Sequence, residues 1–269
     1  MRSLHLSGST ESIHPNTIVL GDCLDAMPLI LPYSVGLVLC DPPYGTTNCA
    51  WDSVIDLEAM WKLLSRLTLP KTPIVFFASQ PFTSILITSN LEAFRYTWVW
   101  QKDAGTGFLN AKKQPLRDHE DICVFYREQT TYNPQFTEGD PYSCLNGSLS
   151  DIYNERGQVY TENTGFRYPK TVQKFARESV RFHPTQKPEA LLDYLIKTYT
   201  HEGQIVLDFT MGSGSTGVSA IKNKRRFIGI EKDEAYFEIA KKRIFETFER
   251  IPKDVFEIAK SGFRKKRCG

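Results

Sequence analysis

The chain has 269 residues, of which 41% are hydrophobic and 24% are charged, and its formal net charge at pH 7 is +2. These values are ordinary for a soluble globular protein built as one large domain, or as one domain with an inserted lobe. They exclude a membrane-spanning helix, because no apolar run approaches the roughly 20 residues that such a helix needs.

The N-terminus and the cysteines predict a cytoplasmic protein. Residues 1–8 contain no apolar core of signal-peptide length. None of the six cysteines has CxxC spacing, and Cys40 and Cys123 lie in apolar segments. We therefore interpret the cysteines as free thiols, and we expect neither a disulfide framework nor a metal site.

Residues 17–126 alternate between short apolar runs and helical spacing. Strands are predicted over 17–20, 35–40, 73–78, 96–100 and 122–126, and helices over 23–31, 57–69 and 82–91. The run over 35–40 is continuously apolar and bounded by turn signals, which is typical of a strand buried on both faces of a parallel sheet. It ends at Pro42-Pro43, which cannot continue a ladder of strand hydrogen bonds.

From residue 127 to residue 181 the sequence is polar and rich in turn residues. This stretch is too long for a plain loop in a compact domain, so it predicts an inserted lobe. Beyond it, helices are predicted over 188–199, 216–223 and 235–250, and strands over 205–209 and 226–231. The alternation of strands and helices predicts an α/β fold with a doubly wound, mostly parallel sheet.

A glycine-rich turn lies between the strand over 205–209 and the helix that follows. Its sequence from Gly212 to Gly217 has the GxGxxG pattern, and Glu231 ends the next strand 19 residues after Gly212. Glycines let the backbone approach a ligand, and an acid at the next strand end accepts hydrogen bonds from ribose hydroxyls. The turn predicts a nucleoside site, and by itself it fits NAD as well as S-adenosylmethionine. An ATP P-loop is excluded, because Val218 stands where that loop needs lysine.

The tetrapeptide Asp41-Pro42-Pro43-Tyr44 directly follows the strand over 35–40. Ligands of open α/β sheets bind beyond the carboxyl ends of strands, so the tetrapeptide and the glycine turn can share one rim. The tetrapeptide has the groups that the exocyclic amine of a nucleic-acid base would need in order to react. Such an amine is a poor nucleophile, because its lone pair is delocalised into the ring. The Asp41 carboxylate and the Pro42 carbonyl can each accept one N–H and favour a pyramidal nitrogen. Proline stiffens the turn, and Tyr44 offers a flat face to a flipped-out base.

In these two segments the chain resembles the S-adenosylmethionine-dependent DNA amino-methyltransferases. Within them it is similar to the β-ordered subclass, in which the catalytic half precedes the cofactor half. The resemblance extends over roughly residues 17–250, and it implies a Rossmann-like methyltransferase sheet of permuted order. The implied divisions are a catalytic half over 17–126, a target-recognition insertion over 127–181, a cofactor-binding half over 182–250 and a basic C-terminal tail over 251–269.

The same resemblance assigns roles to single residues. The implied catalytic residues are Asp41, Pro42, Pro43 and Tyr44. The implied residues of the S-adenosylmethionine site are Asp22, Cys23, Asp41, Thr185, Lys187, Asp208, Phe209, Gly212, Ser213, Gly214, Thr216, Glu231 and Lys232. Among them, Asp22 and Cys23 are expected beside the adenine of the cofactor, and Thr185 and Lys187 at its methionine part.

The resemblance favours the N6 amine of adenine as the methyl acceptor, because the tetrapeptide begins with Asp. Members that methylate N4 of cytosine more often begin with Ser, but that amine suits the same hydrogen bonds and stays an alternative. Three further hypotheses stay open. The chain could be an NAD-dependent oxidoreductase, a non-catalytic DNA-binding module, or a methyltransferase of RNA or of protein glutamine.

Basic residues are concentrated near the predicted insertion. Residues 165–188 contain six Lys or Arg and a single acid, Glu178, which favours a nucleic-acid partner. We expect double-stranded DNA as that partner. The predicted DNA contacts are Lys112, Lys113, Arg117, Lys170, Lys174, Arg177 and Arg181. The resemblance also raises a homodimer and a cognate restriction nuclease as further partners.

Overall fold

The computed structural model describes residues 1–6, 11–45, 54–146, 159–179, 182 and 186–252. The predicted site residues Arg181 and Thr185, and positions 253–269 of the predicted basic tail, lie outside the described residues. The chain forms two compact units. The inner unit is Pro134–Lys170, and the larger unit is built from the segments on either side of it.

Thirteen strands are present in the described segments. In chain order they are β1 (Arg2–His5), β2 (Thr17–Leu20), β3 (Leu37–Cys40), β4 (Ile74–Ala78), β5 (Phe94–Thr106), β6 (Arg117–Phe125), β7 (Thr137–Glu138), β8 (Tyr142–Asn146), β9 (Val159–Asn163), β10 (Phe166–Arg167), β11 (Val172–Lys174), β12 (Ile205–Asp208) and β13 (Arg226–Glu231).

Six α-helices accompany these strands in the same segments. They are α1 (Cys23–Ala26), α2 (Leu57–Leu67), α3 (Phe82–Ser89), α4 (Glu189–Tyr199), α5 (Ser215–Lys222) and α6 (Glu234–Glu249). Aspartates begin several of them: the side chain of Asp56 accepts hydrogen bonds from the first backbone N–H groups of α2, and Asp233 does the same for α6. Among the helices described, none is long and apolar enough to cross a lipid bilayer.

One sheet of nine strands organises the described part of the larger unit, in the order β1-β2-β13-β12-β3-β4-β6-β5-β11. Strand β6 runs antiparallel to its neighbours β4 and β5, and the other neighbours pair in parallel. The predicted α/β fold with a mostly parallel sheet is confirmed. Because β12 lies beside β3, segments that are far apart in the sequence share the centre of the sheet.

The continuous apolar run of β3 is explained by its burial on both faces of the sheet. Successive side chains of a strand point to opposite faces, and all four residues of β3 are buried. Val38 packs in a cluster with Met60 of α2, whereas Leu39 packs in the cluster that contains Leu191 of α4. Helices α1, α2 and α3 cover the first face, and α4, α5 and α6 cover the second. The sheet is therefore the middle layer of three.

The inner unit consists of two small antiparallel ladders, β7 with β10 and β8 with β9. Aromatic side chains hold its short strands. The rings of Phe136 and Tyr168 lie 4.8 Å apart, and the guanidinium carbon of Arg167 lies 4.7 Å from the ring centre of Tyr142. This unit is shorter than the insertion predicted over 127–181. Strand β11, which falls within that predicted range, pairs with β5 in the large sheet.

Two parts of the large sheet differ from the sequence expectation. Strand β1 pairs with β2 over residues 2–5, where the sequence predicted no strand. Strands β5 and β6 continue far into the segment between the strands predicted over 96–100 and 122–126, as far as the pair Thr106 and Arg117. The side chains in this extension of the hairpin are mostly exposed, so no apolar period marked it as strand.

Two tyrosines of α4 provide a matched test of how this helix is held on the sheet. The hydroxyl of Tyr199 accepts a hydrogen bond from the indole N–H of Trp98 at 2.7 Å and lies 2.9 Å from the hydroxyl of Tyr96. Both of those residues belong to β5. The hydroxyl of Tyr194 is also buried, but it has no hydrogen-bond partner among the described residues.

We expect Tyr199→Phe to lower the free energy of unfolding by about 1–3 kcal/mol, because the buried indole N–H of Trp98 loses its acceptor. The control Tyr194→Phe deletes an unpartnered hydroxyl and should leave the free energy of unfolding unchanged or raise it. Urea unfolding of both variants measures the difference. Equal losses in the two variants would contradict this account of the helix–sheet contact.

Candidate functional site

A cavity of about 320 Å³ opens where the parallel strands end. Its walls are the segments that follow β2, β3, β12 and β13. The carboxyl ends of parallel strands meet at one edge of a sheet, which is why these segments converge. The cavity is lined by the predicted residues Asp22, Cys23, Asp41, Pro42, Pro43, Tyr44, Lys187, Asp208, Phe209, Gly212, Ser213, Thr216, Glu231 and Lys232.

Gly214 is predicted for the same site but is not among the lining residues. It precedes α5 with φ at +80°, a conformation that glycine adopts without strain. A Cβ at this position would lie 2.9 Å from the Cβ of Ala240 in α6. Gly214 therefore allows the start of α5 to approach α6 closely.

The tetrapeptide at residues 41–44 is anchored by contacts on both sides. The Tyr44 hydroxyl donates a hydrogen bond to Oδ1 of Asp41 at 2.6 Å, and the Tyr44 ring stacks on Phe82 with 5.2 Å between ring centres. The hydroxyl of Thr210 donates to the backbone carbonyl of Asp41 at 3.0 Å. The loop after β12 thus holds the loop after β3 by a direct hydrogen bond.

Asp41 belongs to a largely buried cluster of four charged side chains. The ammonium of Lys187, whose side chain is 6% exposed, lies 2.5 Å from Oδ2 of Asp41 and 3.2 Å from Oε2 of Glu120. The ammonium of Lys102 lies 2.6 Å from Oε1 of Glu120. We call Asp41, Lys187, Glu120 and Lys102 the ion-pair cluster. When all four side chains are ionised, the two carboxylates and the two ammonium groups carry no net charge.

The cluster shifts the ionisation of its members. Burial raises the pKa of Asp41 above its ordinary value, and the Lys187 ammonium opposes that rise. Burial also acts to raise the pKa of Glu120, but Lys187 and Lys102 outweigh it and the net pKa is lowered. The pKa of Lys187 is raised, because the two carboxylates outweigh the effect of burial. Lys187 therefore stays charged, which a buried ammonium without partners would not.

Sequence reasoning assigned no individual role to Glu120 or Lys102, although Trp100-Gln101-Lys102 and His119-Glu120 resemble later catalytic-half segments of the DNA amino-methyltransferases. Charged side chains of a hairpin are usually exposed. Only the register of β5 against β6 shows that the side chains of Glu120 and Lys102 are largely buried. Glu120 lies opposite Trp100 in the β5–β6 ladder, and it faces the cavity. One sequence feature did mark them: Lys102 lies just after the strand predicted over 96–100, and Glu120 lies just before the strand predicted over 122–126.

The end of the cavity beside the glycine turn, which we call the cofactor end because the sequence predicts a nucleoside site there, contains the buried carboxylates of Asp208 and Glu231. Glu231 is 9% exposed, and its two oxygens accept hydrogen bonds from the backbone N–H groups of Gly212 at 2.8 Å and Asp233 at 2.9 Å. Asp208 is 3% exposed and accepts from the backbone N–H of Thr210 at 3.1 Å. Burial raises the pKa of Glu231, and it raises the pKa of Asp208 from 3.8 to about 7.

These carboxylates fit a nucleoside cofactor that carries positive charge. Each carboxylate oxygen has two acceptor positions, so Glu231 can accept from hydroxyl groups while keeping its backbone contacts. A positive ligand beside Asp208 would oppose the effect of burial and favour the ionised carboxylate. Asp22 accepts from the backbone N–H of Leu24 at 2.8 Å and so begins α1 at the rim of the cavity.

The predicted DNA contacts that fall within the described residues lie outside the cavity. Lys112, Lys113 and Arg117 are exposed on the β5–β6 hairpin, and Lys174 is exposed on β11. Arg177 pairs with Asp103 of the same hairpin at 2.9 Å. Lys170 is exposed at the end of the inner unit. Within the segments described, no three His, Cys, Asp or Glu side chains are grouped as metal ligands would be.

Two curated proteins are similar to this chain along most of their length. The Type II methyltransferase M2.LlaDCHI of Lactococcus lactis subsp. cremoris is 28% identical over 254 residues, which cover 84% of this chain and 88% of that protein. The DNA adenine methyltransferase YhdJ of Escherichia coli K12 is 28% identical over 247 residues, which cover 85% of this chain and 82% of that protein.

Solved structures share the fold. The M1.HpyAVI–SAM complex has a TM-score of 0.58 and 24% identity, with 84% of this chain and 98% of that chain covered. The PvuII DNA methyltransferase (cytosine-N4-specific) has a TM-score of 0.60 and 14% identity, with 93% of each chain covered. TTHA0409 of Thermus thermophilus, complexed with S-adenosyl-L-methionine, has a TM-score of 0.58 and 19% identity, with 93% of this chain and 96% of that chain covered.

A family model described as DNA methylase, N6_N4_Mtase, matches residues 35–242, which is more than half of the chain. The matched range includes the tetrapeptide, the ion-pair cluster and both buried carboxylates of the cofactor end. The chain therefore belongs to the N6_N4_Mtase family of DNA methylases, and it is an S-adenosylmethionine-dependent DNA amino-methyltransferase.

Proposed function

We propose that this enzyme methylates the N6 amine of adenine in double-stranded DNA, on a base flipped out of the duplex into the cavity. The observation that carries the proposal is the Asp41-Pro42-Pro43-Tyr44 tetrapeptide on the wall of the cavity that also contains Asp208 and Glu231. Adenine is supported by the Asp that begins the tetrapeptide. It is also supported by the relative in Escherichia coli, which is named a DNA adenine methyltransferase.

Asp41 and Pro42 prepare the amine for attack. The Asp41 carboxylate accepts one N–H and the Pro42 carbonyl accepts the other, so the nitrogen lone pair is directed away from the base ring. S-Adenosylmethionine, when bound, supplies a methyl carbon on a positively charged sulfur. Asp41 and Pro42 would hold the amine nitrogen with its lone pair directed towards that methyl group, and the proton that the amine loses would pass to water. The residues thus contribute position and electrostatic complementarity rather than a strong base.

Lys187 keeps Asp41 suitable for this task. The acceptor must be an ionised carboxylate, but burial and the neighbouring Glu120 both raise the pKa of Asp41. The Lys187 ammonium at 2.5 Å from Oδ2 opposes both effects. Since each carboxylate oxygen has two acceptor positions, Asp41 can bind the substrate amine while it keeps Tyr44 and Lys187. This positioning role is in addition to the predicted contact of Lys187 with the methionine part of the cofactor.

The cofactor end has two proposed tasks. Glu231 accepts hydrogen bonds from the ribose hydroxyls, as its position at the end of β13 favours. Asp208 contributes negative charge, and a cationic cofactor stabilises its ionised form. Asp22 and Cys23 border the adenine of the cofactor, and Gly212 and Ser213 let the backbone approach it.

The proposed function is tested by expressing the chain in a bacterial host that lacks DNA methylation and mapping modified bases by sequencing. We expect N6-methyladenine within one fixed sequence context. N4-methylcytosine in its place would contradict the adenine assignment but leave the amine chemistry intact. An unmodified genome, with soluble folded protein present, would contradict the proposed function.

The role of Asp41 is tested with the variant Asp41→Ala, and the matched control is Asp25→Ala. We expect Asp41→Ala to slow methyl transfer by at least about 10²–10³-fold, which is typical when a preorganised polar contact to the reacting group is removed. Binding of S-adenosylhomocysteine, measured by calorimetry, should stay within a few-fold of the wild type. Asp25→Ala removes an exposed acid of α1 and should change neither quantity.

Asp208 gives a prediction about pH. Its folded-state pKa of about 7 lies above the ordinary value of 3.8, so its contribution to stability is greatest below about pH 4 and is lost as the pH rises through 7. Asp208→Asn cannot ionise. We therefore expect the stability of this variant, relative to wild type, to increase by up to a few kcal/mol between pH 4 and pH 8.

Urea unfolding of both proteins without cofactor, at several pH values, measures this difference. Taking the difference removes the contributions of all other titrating groups that the substitution leaves unchanged. A difference that does not vary with pH would contradict the raised pKa of Asp208. A difference that decreases with pH would contradict its sign.

A further inference from the structure

We infer that the tip of the β5–β6 hairpin is a wedge that enters the DNA stack and fills the space left by the flipped-out base. The side chains that would enter are Phe108 and Leu109. This inference rests on the proposed function, because a wedge has a task only where a base leaves the duplex.

Phe108 and Leu109 are large apolar side chains in an exposed position. Their exposed fractions are 81% and 97%. The turn that carries them is ordered by backbone hydrogen bonds, from Asn110 N–H to the Gly107 carbonyl at 2.9 Å and from Ala111 N–H to the Phe108 carbonyl at 3.0 Å. Gly107, with φ at +89°, begins the turn. The hairpin thus presents two apolar side chains to solvent on a defined backbone.

The hairpin leads from the active site to this tip. The ladder between β4 and β6 ends at the pair Ala78 and Asp121, whereas β5 and β6 continue past it. The next residue of β6 is Glu120, which lines the cavity and contacts Lys187. From Trp100, opposite Glu120, to Thr106 the strand advances by about 20 Å. The tip therefore projects beyond the same edge of the sheet at which the amine is bound.

The positive charge around the tip is complementary to the negative charge of a polyanion such as DNA. Residues 104–117 contain Lys112, Lys113 and Arg117 and no acid. Of the nearest acids in the sequence, Asp103 pairs with Arg177 at 2.9 Å, and Asp118 lies 3.2 Å from Nδ1 of its neighbour His119. Lysines and arginines bind DNA phosphates, and apolar side chains such as Phe and Leu can enter between stacked bases. Two apolar side chains beside basic residues favour duplex DNA over an apolar protein surface.

The test compares the double variant Phe108→Ala/Leu109→Ala with wild type on two duplexes that contain the mapped recognition sequence. In the first the target base is paired, and in the second it faces an abasic position. We expect kcat/KM of the variant to fall by about tenfold or more on the paired duplex, because unstacking costs energy that a wedge offsets. On the duplex with the unpaired target, where less flipping energy is needed, most of that loss should disappear.

The matched control is Leu91→Ala. Leu91 is 65% exposed and precedes the opposite end of β5, so its removal should leave kcat/KM unchanged on both duplexes. A second readout uses 2-aminopurine in place of the target base. Wild type should raise the fluorescence of this probe on binding, and the double variant should raise it less at saturating protein. Unfolding midpoints in urea should agree among the three proteins.

Several outcomes would overturn the wedge. If the double variant has an unchanged kcat/KM on the paired duplex, the tip takes no part in the reaction. An equal loss on both duplexes would indicate a general binding contact. A wild-type dimer that the double variant converts to monomer would identify the tip as a protein interface. The proposed function fails separately, if wild type methylates no DNA at all. A wild type that methylates cytosine would leave the wedge testable on that base.

Discussion

The structure depends on one buried cation, the ammonium of Lys187. A buried charge is costly unless it is paired at close range, and Lys187 finds its partners on two other segments. Asp41 comes from the loop after β3, and Glu120 comes from β6. Lys187 itself stands just before α4. The requirement to neutralise this ammonium therefore joins the segment before α4 to the loop after β3 and to β6, at the position where chemistry is proposed.

The strand order makes that contact possible. Because β12 pairs with β3, Asp208 and Asp41 emerge from neighbouring strands although they lie far apart in the sequence. The hydrogen bond from Thr210 to the Asp41 carbonyl then links the two loops. On the far side of Asp41, Glu120 connects the cavity with the β5–β6 hairpin. The cofactor end of the cavity, the loop after β3 and the β5–β6 hairpin are thus connected to one another within the larger unit.

Sequence patterns predicted what depends on local chemistry. The apolar run of β3, the glycine turn before α5 and the acid at the end of β13 were found where the patterns indicated, because burial and turn geometry restrict those residues directly. The pairing of Lys187 with Glu120, and of Glu120 with Lys102, was not predicted, since it depends on the register of β5 against β6. The extension of that hairpin was missed for a related reason, as exposed strand residues show no apolar period. The choice between adenine and cytosine depends on how the cavity receives a base, and the only sequence feature that bears on it is the Asp41 that begins the tetrapeptide.

The central claim is that Lys187 acts through Asp41. Its most direct test is a double-mutant cycle on the single-turnover rate of methyl transfer, with Asp41→Asn, Lys187→Met and the combined variant at saturating cofactor. If Lys187 serves to hold Asp41 ionised and in position, the combined variant is no slower than Asp41→Asn alone. Losses that multiply in the combined variant would show that the two side chains act independently, and would contradict the account.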